Sequence, residues 1–145
     1  MNNFIVWDED EREFYIVDTM IGTINGYKVA KVKPLPENCD SECYSELKVF
    51  DWDYSDEDKI FKPIGIKDIN NNPIYADCSI VEFEFFETLD NMINIKGYFQ
   101  YHKESLSYLV YIFEYKRRIE FLQYRMRNFK IIDTIQENKL GLING

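Results

Sequence analysis

Alanine is almost missing from this chain of 145 residues, where Ala30 and Ala76 are the only two. Without the usual helix filler, and with β-branched and aromatic residues in its place, the chain favours strands and nothing in it supports a long helix. Histidine occurs once, at His102, and cysteine three times, at Cys39, Cys43 and Cys78. A four-ligand zinc site would have to gather all of these, so no metal or other cofactor is expected. No glycine lies between Gly26 and Gly65, which denies the acids of that stretch the sharp turn of a helix-loop-helix calcium loop. Gly22 and Gly26 precede neither a Lys-Ser/Thr pair nor a helical pattern, so a phosphate-binding loop is absent too. The longest apolar run, Tyr108 to Phe113, has the length of a buried strand and falls far short of the roughly 20 residues of a membrane-spanning helix. The opening MNNFIVWDEDER has no secretory pattern, and an odd number of cysteines leaves one unpaired. Both features read as a reducing, intracellular setting without membrane contact.

What is present is apolar mass and acid. Hydrophobic residues make up 46% of the chain and aromatic ones 17%, enough to build a core despite a formal net charge of -9. The acidity is uneven: residues 1–62 hold 15 acids and 7 bases, residues 63–145 hold 11 and 10. A chain of this overall charge repels nucleic acid and anionic membranes at long range.

Short apolar runs at Phe4 to Trp7 and Phe14 to Val17, separated by a charged stretch, predict a hairpin. The Asn25-Gly26 pair predicts a second hairpin between Ile21 to Ile24 and Tyr27 to Val32. Pro34 and Pro36 end that strand, and a short helix or turn is expected near Ser41 to Val49. Phe61 to Ile66 reads as a strand leading into an Asp68 to Asn72 turn and a short extended piece at Ile74 and Tyr75. Ser79 to Thr88 alternates an apolar face with an acidic one and is the clearest half-buried strand. Ile93 to Tyr101, Tyr108 to Tyr115, Ile119 to Tyr124 and Phe129 to Ile135 complete a mainly β chain, divided into N-terminal hairpins with an acidic segment (1–60) and a C-terminal domain (61–145).

Two charged segments are candidate surfaces. Residues 37–58 carry nine acids against the single Lys48, with Glu37, Asp40, Glu42, Asp51, Asp53, Asp56, Glu57 and Asp58 as a candidate protein-binding surface. Residues 116–130 carry Lys116, Arg117, Arg118, Arg125, Arg127 and Lys130 against Glu120, a local net of +5, interleaved with Tyr115, Phe121, Tyr124 and Phe129. Arg117, Arg118, Arg125, Arg127 and Lys130 have the composition of a nucleic-acid or phosphate patch, and equally that of a partner for the acidic segment within the chain or across an oligomer contact. Cys78 and His102 would make a nucleophile and base only within hydrogen-bond reach of each other and with an oxyanion hole, so the chain reads as no enzyme.

Three segments resemble the YopX family of small phage and prophage proteins. FIVWDEDEREFY (4–15) is similar to the family's opening strand, charged turn and aromatic return. FKPIGIKDINNNPIYADCSIV (61–81) resembles its most specific stretch at Gly65, Ile66, Lys67, Asp68, Asn70, Ile74, Tyr75, Ile80 and Val81. FKIIDTIQENKLGL (129–142) resembles its closing motif at Ile132, Ile135, Glu137 and Asn138. Asn71 stands where the family has a turn glycine, which asparagine imitates, and Ala76 to Ser79 predicts a rebuilt turn or bulge. The resemblance implies an all-β fold with a C-terminal SH3-like barrel, self-association into a homo-oligomer, the host-cell cytoplasm, and no catalytic residues. The function expected from residues and resemblance together is a non-enzymatic accessory protein that binds a protein of the host, its acidic surface blocking a basic target. The alternative is a nucleic-acid module built on the 116–130 patch.

Overall fold

The computed structural model describes residues 4–24, 27–36, 44–50 and 60–143. Those residues form twelve strands and no α-helix. The chain divides into two compact units, Met1–Lys62 and Pro63–Gly145; the sequence reading puts the division at 60/61.

The first unit is a five-stranded antiparallel sheet of β1 (Ile5–Asp8), β2 (Glu13–Ile24), β3 (Tyr27–Pro34), β4 (Glu46–Phe50) and β5 (Ile60–Phe61), in the order β4-β3-β2-β1-β5. Trp7 stands opposite Phe14 with ring centroids 4.7 Å apart, and the Asp8 carboxylate accepts the N–H groups of Asp10 and Glu11 to close the charged turn. The runs 14–17 and 21–24 belong to one strand, β2, with irregularities at Val17/Thr19 and Met20/Gly22; Gly22 takes a φ of 126°. Ile24 pairs with Tyr27, as the second expected hairpin requires, while Asn25 and Gly26 lie outside the described residues. Val6, Tyr15, Val17, Ala30 and Val32 form the buried core. The helix or turn expected up to Val49 is corrected from Glu46 onward, where the chain is the edge strand β4, and Ser41 to Cys43 lie outside the described residues. This strand pairs with β3 from Glu46 to Phe50, and its Lys48 adds ion pairs to Asp8 and Glu11 of the first hairpin.

The second unit holds a two-stranded sheet, β6 (Pro63–Lys67) with β7 (Pro73–Tyr75), and a five-stranded antiparallel sheet. The latter comprises β8 (Ser79–Thr88), β9 (Asn91–His102), β10 (Ser107–Ile112), β11 (Arg117–Glu120) and β12 (Met126–Thr134), in the order β11-β10-β9-β8-β12. Val81, Phe83, Phe85, Ile95, Phe99, Val110, Ile112, Met126 and Phe129 fill its inner face. Its end strands are far apart in the sheet order, yet Phe121, just past β11, lies 6.0 Å from Phe129 of β12 between ring centroids. The sheet is therefore curled into a half-barrel, and β11 and β12 are not hydrogen-bonded neighbours among the described strands. Gly97 makes the tightest backbone approach, since a Cβ there would sit 2.2 Å from the Tyr111 carbonyl oxygen of β10.

Asp68 fastens the small hairpin to the large sheet. Its buried carboxylate accepts the N–H groups of Asn70 and Asn72 through Oδ1, both at 2.9 Å, and that of Ile131 on β12 through Oδ2 at 3.1 Å. Ile69 N–H adds a bond to Phe129 O at 2.8 Å. Asn71 takes a φ of 66°, the left-handed conformation that suits asparagine in place of glycine. The 76–78 turn is rebuilt around Asp77 at φ 58°, with Tyr75 N–H donating to Ser79 Oγ. Several strand boundaries differ from the sequence reading: the strand expected over Tyr108 to Tyr115 ends at Ile112, where a turn over 113–116 follows, and the last strand begins at Met126 instead of Phe129. Phe61 pairs with Ile5 in the first unit instead of continuing into β6, and β11 begins at Arg117 and ends at Glu120, after which Arg125 N–H closes a turn on Leu122 O.

Candidate functional site

The acidic residues Glu37, Asp40, Glu42, Asp51, Asp53, Asp56, Glu57 and Asp58 lie outside the described residues, as do Cys39 and Cys43. Cys78 is buried in the 76–78 turn, and burial pushes its thiol well above the usual range, aided by the negative charge of Glu137 and Asp77. The His102 ring bonds Ser105 Oγ at 2.8 Å. Among the described residues no group of three or more His, Cys, Asp or Glu is placed to hold a metal ion.

The first unit concentrates its charge at Lys48. Its ammonium reaches Asp8 at 3.2 Å and Glu11 at 2.8 Å and lies 4.9 Å from the centre of the Tyr15 ring, whose hydroxyl also donates to Glu11. Burial acts to pull the Lys48 pKa down, but the bonds to Glu11 and Asp8 outweigh it and the net shift is upward. Glu11 is held below its ordinary value by the hydrogen bond from Lys48 and then by that from Tyr15. The cluster is a set of mutually satisfied partners joining β4 to the first hairpin.

The basic residues of the second unit are arranged differently. Arg125 reaches back 39 positions in sequence to donate from Nε to Phe86 O at 3.0 Å, with a further bond to Glu87 O at 3.1 Å, while its guanidinium lies 4.8 Å from the Phe85 ring centre. It forms the wall between two hollows at one end of the curled sheet. One, of about 450 Å³, is lined by Phe86, Leu89, Tyr124, Met126 and Arg127 among others. The other, of about 320 Å³, is lined by Phe85, Tyr115, Arg117, Ile119 and Leu122 among others. Leu89 is 94% exposed and Tyr124 78% exposed at the first hollow. Arg127 donates to Glu84 at 2.8 Å and lies over Phe86, and that hydrogen bond holds the Glu84 carboxyl below its ordinary value. Arg117 lies over the Tyr115 ring, 5.6 Å from its centre.

Arg117, Arg125 and Arg127 thus gather around the two hollows. Arg118 and Lys130 do not line them: Arg118 stands opposite Tyr111, and Lys130 opposite Glu82, whose other cross-strand neighbour is Lys96. Within the second unit the basic stretch meets acids on both faces: Glu84 pairs with Arg127 and Glu82 stands opposite Lys130, while Glu87 and Glu120 line the second hollow with Arg117 and Arg125. No protein-family model, curated protein or solved structure matches the chain. The site therefore has to be read from its own chemistry. Aromatic and aliphatic walls with arginine beside them are the composition of protein-binding hot spots. Leu89 was missed by sequence reasoning, although its placement carried a signal: leucine is a poor turn residue, and here it sits between Thr88 and Asn91 where β8 turns into β9.

Proposed function

We propose that this is a non-enzymatic accessory protein that acts by binding another protein through the two hollows around Arg125. Leu89 and Tyr124, large apolar side chains held almost fully in solvent at the mouth of a hollow, are the observation that carries the reading. A phage or prophage origin, a YopX-like relationship and a homo-oligomeric, cytoplasmic life in a host cell rest on the sequence resemblance. The SH3-like barrel is the finer reading of the curled sheet, supported by its five antiparallel strands and the approach of Phe121 to Phe129. In its sharper form, the acidic residues of 37–58 supply a second contact that blocks a basic host protein. The nucleic-acid reading has less behind it, because Arg125 and Arg127 already donate to Phe86 O, Glu87 O and Glu84.

The test is affinity capture from host cells, with mass determination by light scattering on the same preparation. A stoichiometric protein is expected with the native chain and is lost in a Leu89→Asp, Tyr124→Ser variant of unchanged melting temperature. Equal recovery by both chains sinks the assignment of this site. Charge reversal at Asp51, Asp53, Asp56, Glu57 and Asp58 addresses the acidic contact separately, and unchanged affinity there removes it.

A further inference from the structure

The two end strands of the large sheet differ in what they meet. Phe129 O of β12 accepts the Ile69 N–H and Ile131 N–H goes to Asp68, so the 68–72 turn engages that strand. Strand β11 pairs with β10 alone, and among the described residues its other backbone edge is uncovered, a template for an added strand. Phe121 N–H donates to Tyr108 O, which fixes the alternation: Arg117, Ile119 and Phe121 turn their backbone groups toward β10, and those of Arg118 and Glu120 point away from it. Arg117 and Ile119 stand opposite the core residues Ile112 and Val110 and so lie on the inner face, whereas Arg118 and Glu120 stand opposite Tyr111 and Leu109 and share the outer face. Both of these are exposed, and among the described residues neither makes an ion pair. The other acids close by are placed differently: Glu114 accepts the Lys96 N–H, and Glu87 lines the smaller hollow. The edge thus presents one base and one acid, two positions apart on one face.

Such an edge is complementary to itself. Outward backbone groups pair only with outward ones, so antiparallel pairing with the same edge of a second copy centres on Arg118, Ile119 or Glu120. Centred on Arg118 it sets two guanidinium groups face to face, and centred on Glu120 two carboxylates, both of them destabilising like-charge pairs. Centred on Ile119 it sets Arg118 of each copy opposite Glu120 of the other, twice over by symmetry, with Ile119 opposite Ile119 on the inner face. The backbone agrees with the charges, because Arg118 and Glu120 are the residues whose N–H and C=O groups face outward and exchange hydrogen bonds in this register. Arg117 of one copy then stands opposite Phe121 of the other, a guanidinium beside an aromatic ring. Residues 63–145 hold 11 acids and 10 bases, so a contact made through this unit meets little net repulsion.

We propose that β11 pairs antiparallel with β11 of a second copy about a twofold axis at Ile119, joining the two five-stranded sheets into one continuous sheet. The smaller hollow, lined by Ile119 and Glu120, then adjoins that of the second copy. This contact goes beyond the protein-binding reading above and stands apart from it, since Leu89 and Tyr124 line the other hollow.

The test follows the full chain by sedimentation velocity over a dilution series, with hydrogen exchange measured at both ends of the series. A reversible monomer–dimer equilibrium is expected, with slower exchange of the Arg118 and Glu120 amides at the concentrated end. Arg118→Glu leaves only acids at the two outward positions and Glu120→Arg leaves only bases, so each variant alone is expected to self-associate about tenfold more weakly or less still. An equimolar mixture of the two variants, carrying tags of different mass, restores association as a heterodimer, because both cross-strand pairs are again opposite in sign. The exchange measurement on the native chain decides the matter should either variant fail to fold. A monomer at every concentration, an oligomer that neither variant weakens, a mixture that associates no better than its components, or a dimer whose Arg118 and Glu120 amides exchange as fast as the monomer's overturns the proposal.

Discussion

Each unit places a cation against aromatic rings, and the two arrangements do opposite things. In the first unit Lys48 finds two carboxylates and a tyrosine within its own sheet, so charge and hydrogen-bonding capacity are consumed locally. In the second, Arg125 bonds backbone carbonyls and stacks on Phe85, which fixes its position without supplying a carboxylate, and it stands between two open hollows. The same residue classes thus build a staple in one place and a frame in the other. The deciding factor is whether carboxylates lie within reach of the cation, as Asp8 and Glu11 do for Lys48, and whether the neighbouring apolar side chains are covered.

The comparison breaks most visibly if the frame loses its support. Phe99→Ala removes a fully buried ring that packs on Phe121 and Phe129, and is expected to cost about 4 kcal/mol in urea unfolding, with hydrogen exchange accelerated across β8 to β12. Gly97→Ala should be comparably damaging despite its single methyl group, because the obstacle is the Tyr111 carbonyl of a paired strand. Asp68→Ala strands three backbone donors and is expected to cost about 3 kcal/mol, loosening the β6–β7 hairpin from β12.

The staple should give a smaller loss with a distinctive pH dependence. Lys48→Met is expected to cost about 2 kcal/mol at neutral pH. Glu11 has its folded pKa below the ordinary 4.5, so its contribution is present above that value and is lost as the pH falls through the folded value. The melting-temperature gap between native chain and Lys48→Met is therefore expected to be widest above pH 4.5 and to narrow in acid; a gap independent of pH would contradict the charge assignment. The smallest effect on stability belongs to the open rim, where Leu89→Ser with Tyr124→Ser should change unfolding by no more than about 0.5 kcal/mol while removing partner capture.

Sequence made much of the scaffold legible where burial follows a simple period. The alternation Val81, Phe83, Phe85 against Ile80, Glu82, Glu84 gave β8 at its observed bounds, and Trp7 with Phe14 gave the first hairpin. β4 was hidden because its anchoring side chain is a lysine whose partners lie 37 and 40 positions away, a distance at which pattern within a window says nothing. β11 was displaced for a related reason: Arg117 and Arg118 open it on opposite faces and break any apolar alternation. The basic stretch 116–130 was visible as composition. Its division depends on two things a composition count does not hold: the alternation that turns Arg117 inward and Arg118 outward on β11, and a register shift between Arg127 and Lys130 on β12, where Asn128 takes a φ of 57°. The exposed leucine between β8 and β9 acquires meaning only once Tyr124 and Arg125 are folded beside it.

The order in which the second sheet is threaded bears on how the chain is made. β8 pairs with β9 immediately, but its other edge waits for β12, with Ser79 joined to Thr134 across the whole of β9 to β11. During synthesis Phe83 and Phe99 must therefore remain without Phe129, and the 68–72 turn without its bonds to Phe129 and Ile131, until β12 has left the ribosome. A nascent chain stalled before Met126 would present this unfinished aromatic surface to chaperones and proteases. Codon changes that slow translation between β11 and β12 should consequently lower the yield of soluble protein while leaving the finished molecule unaltered.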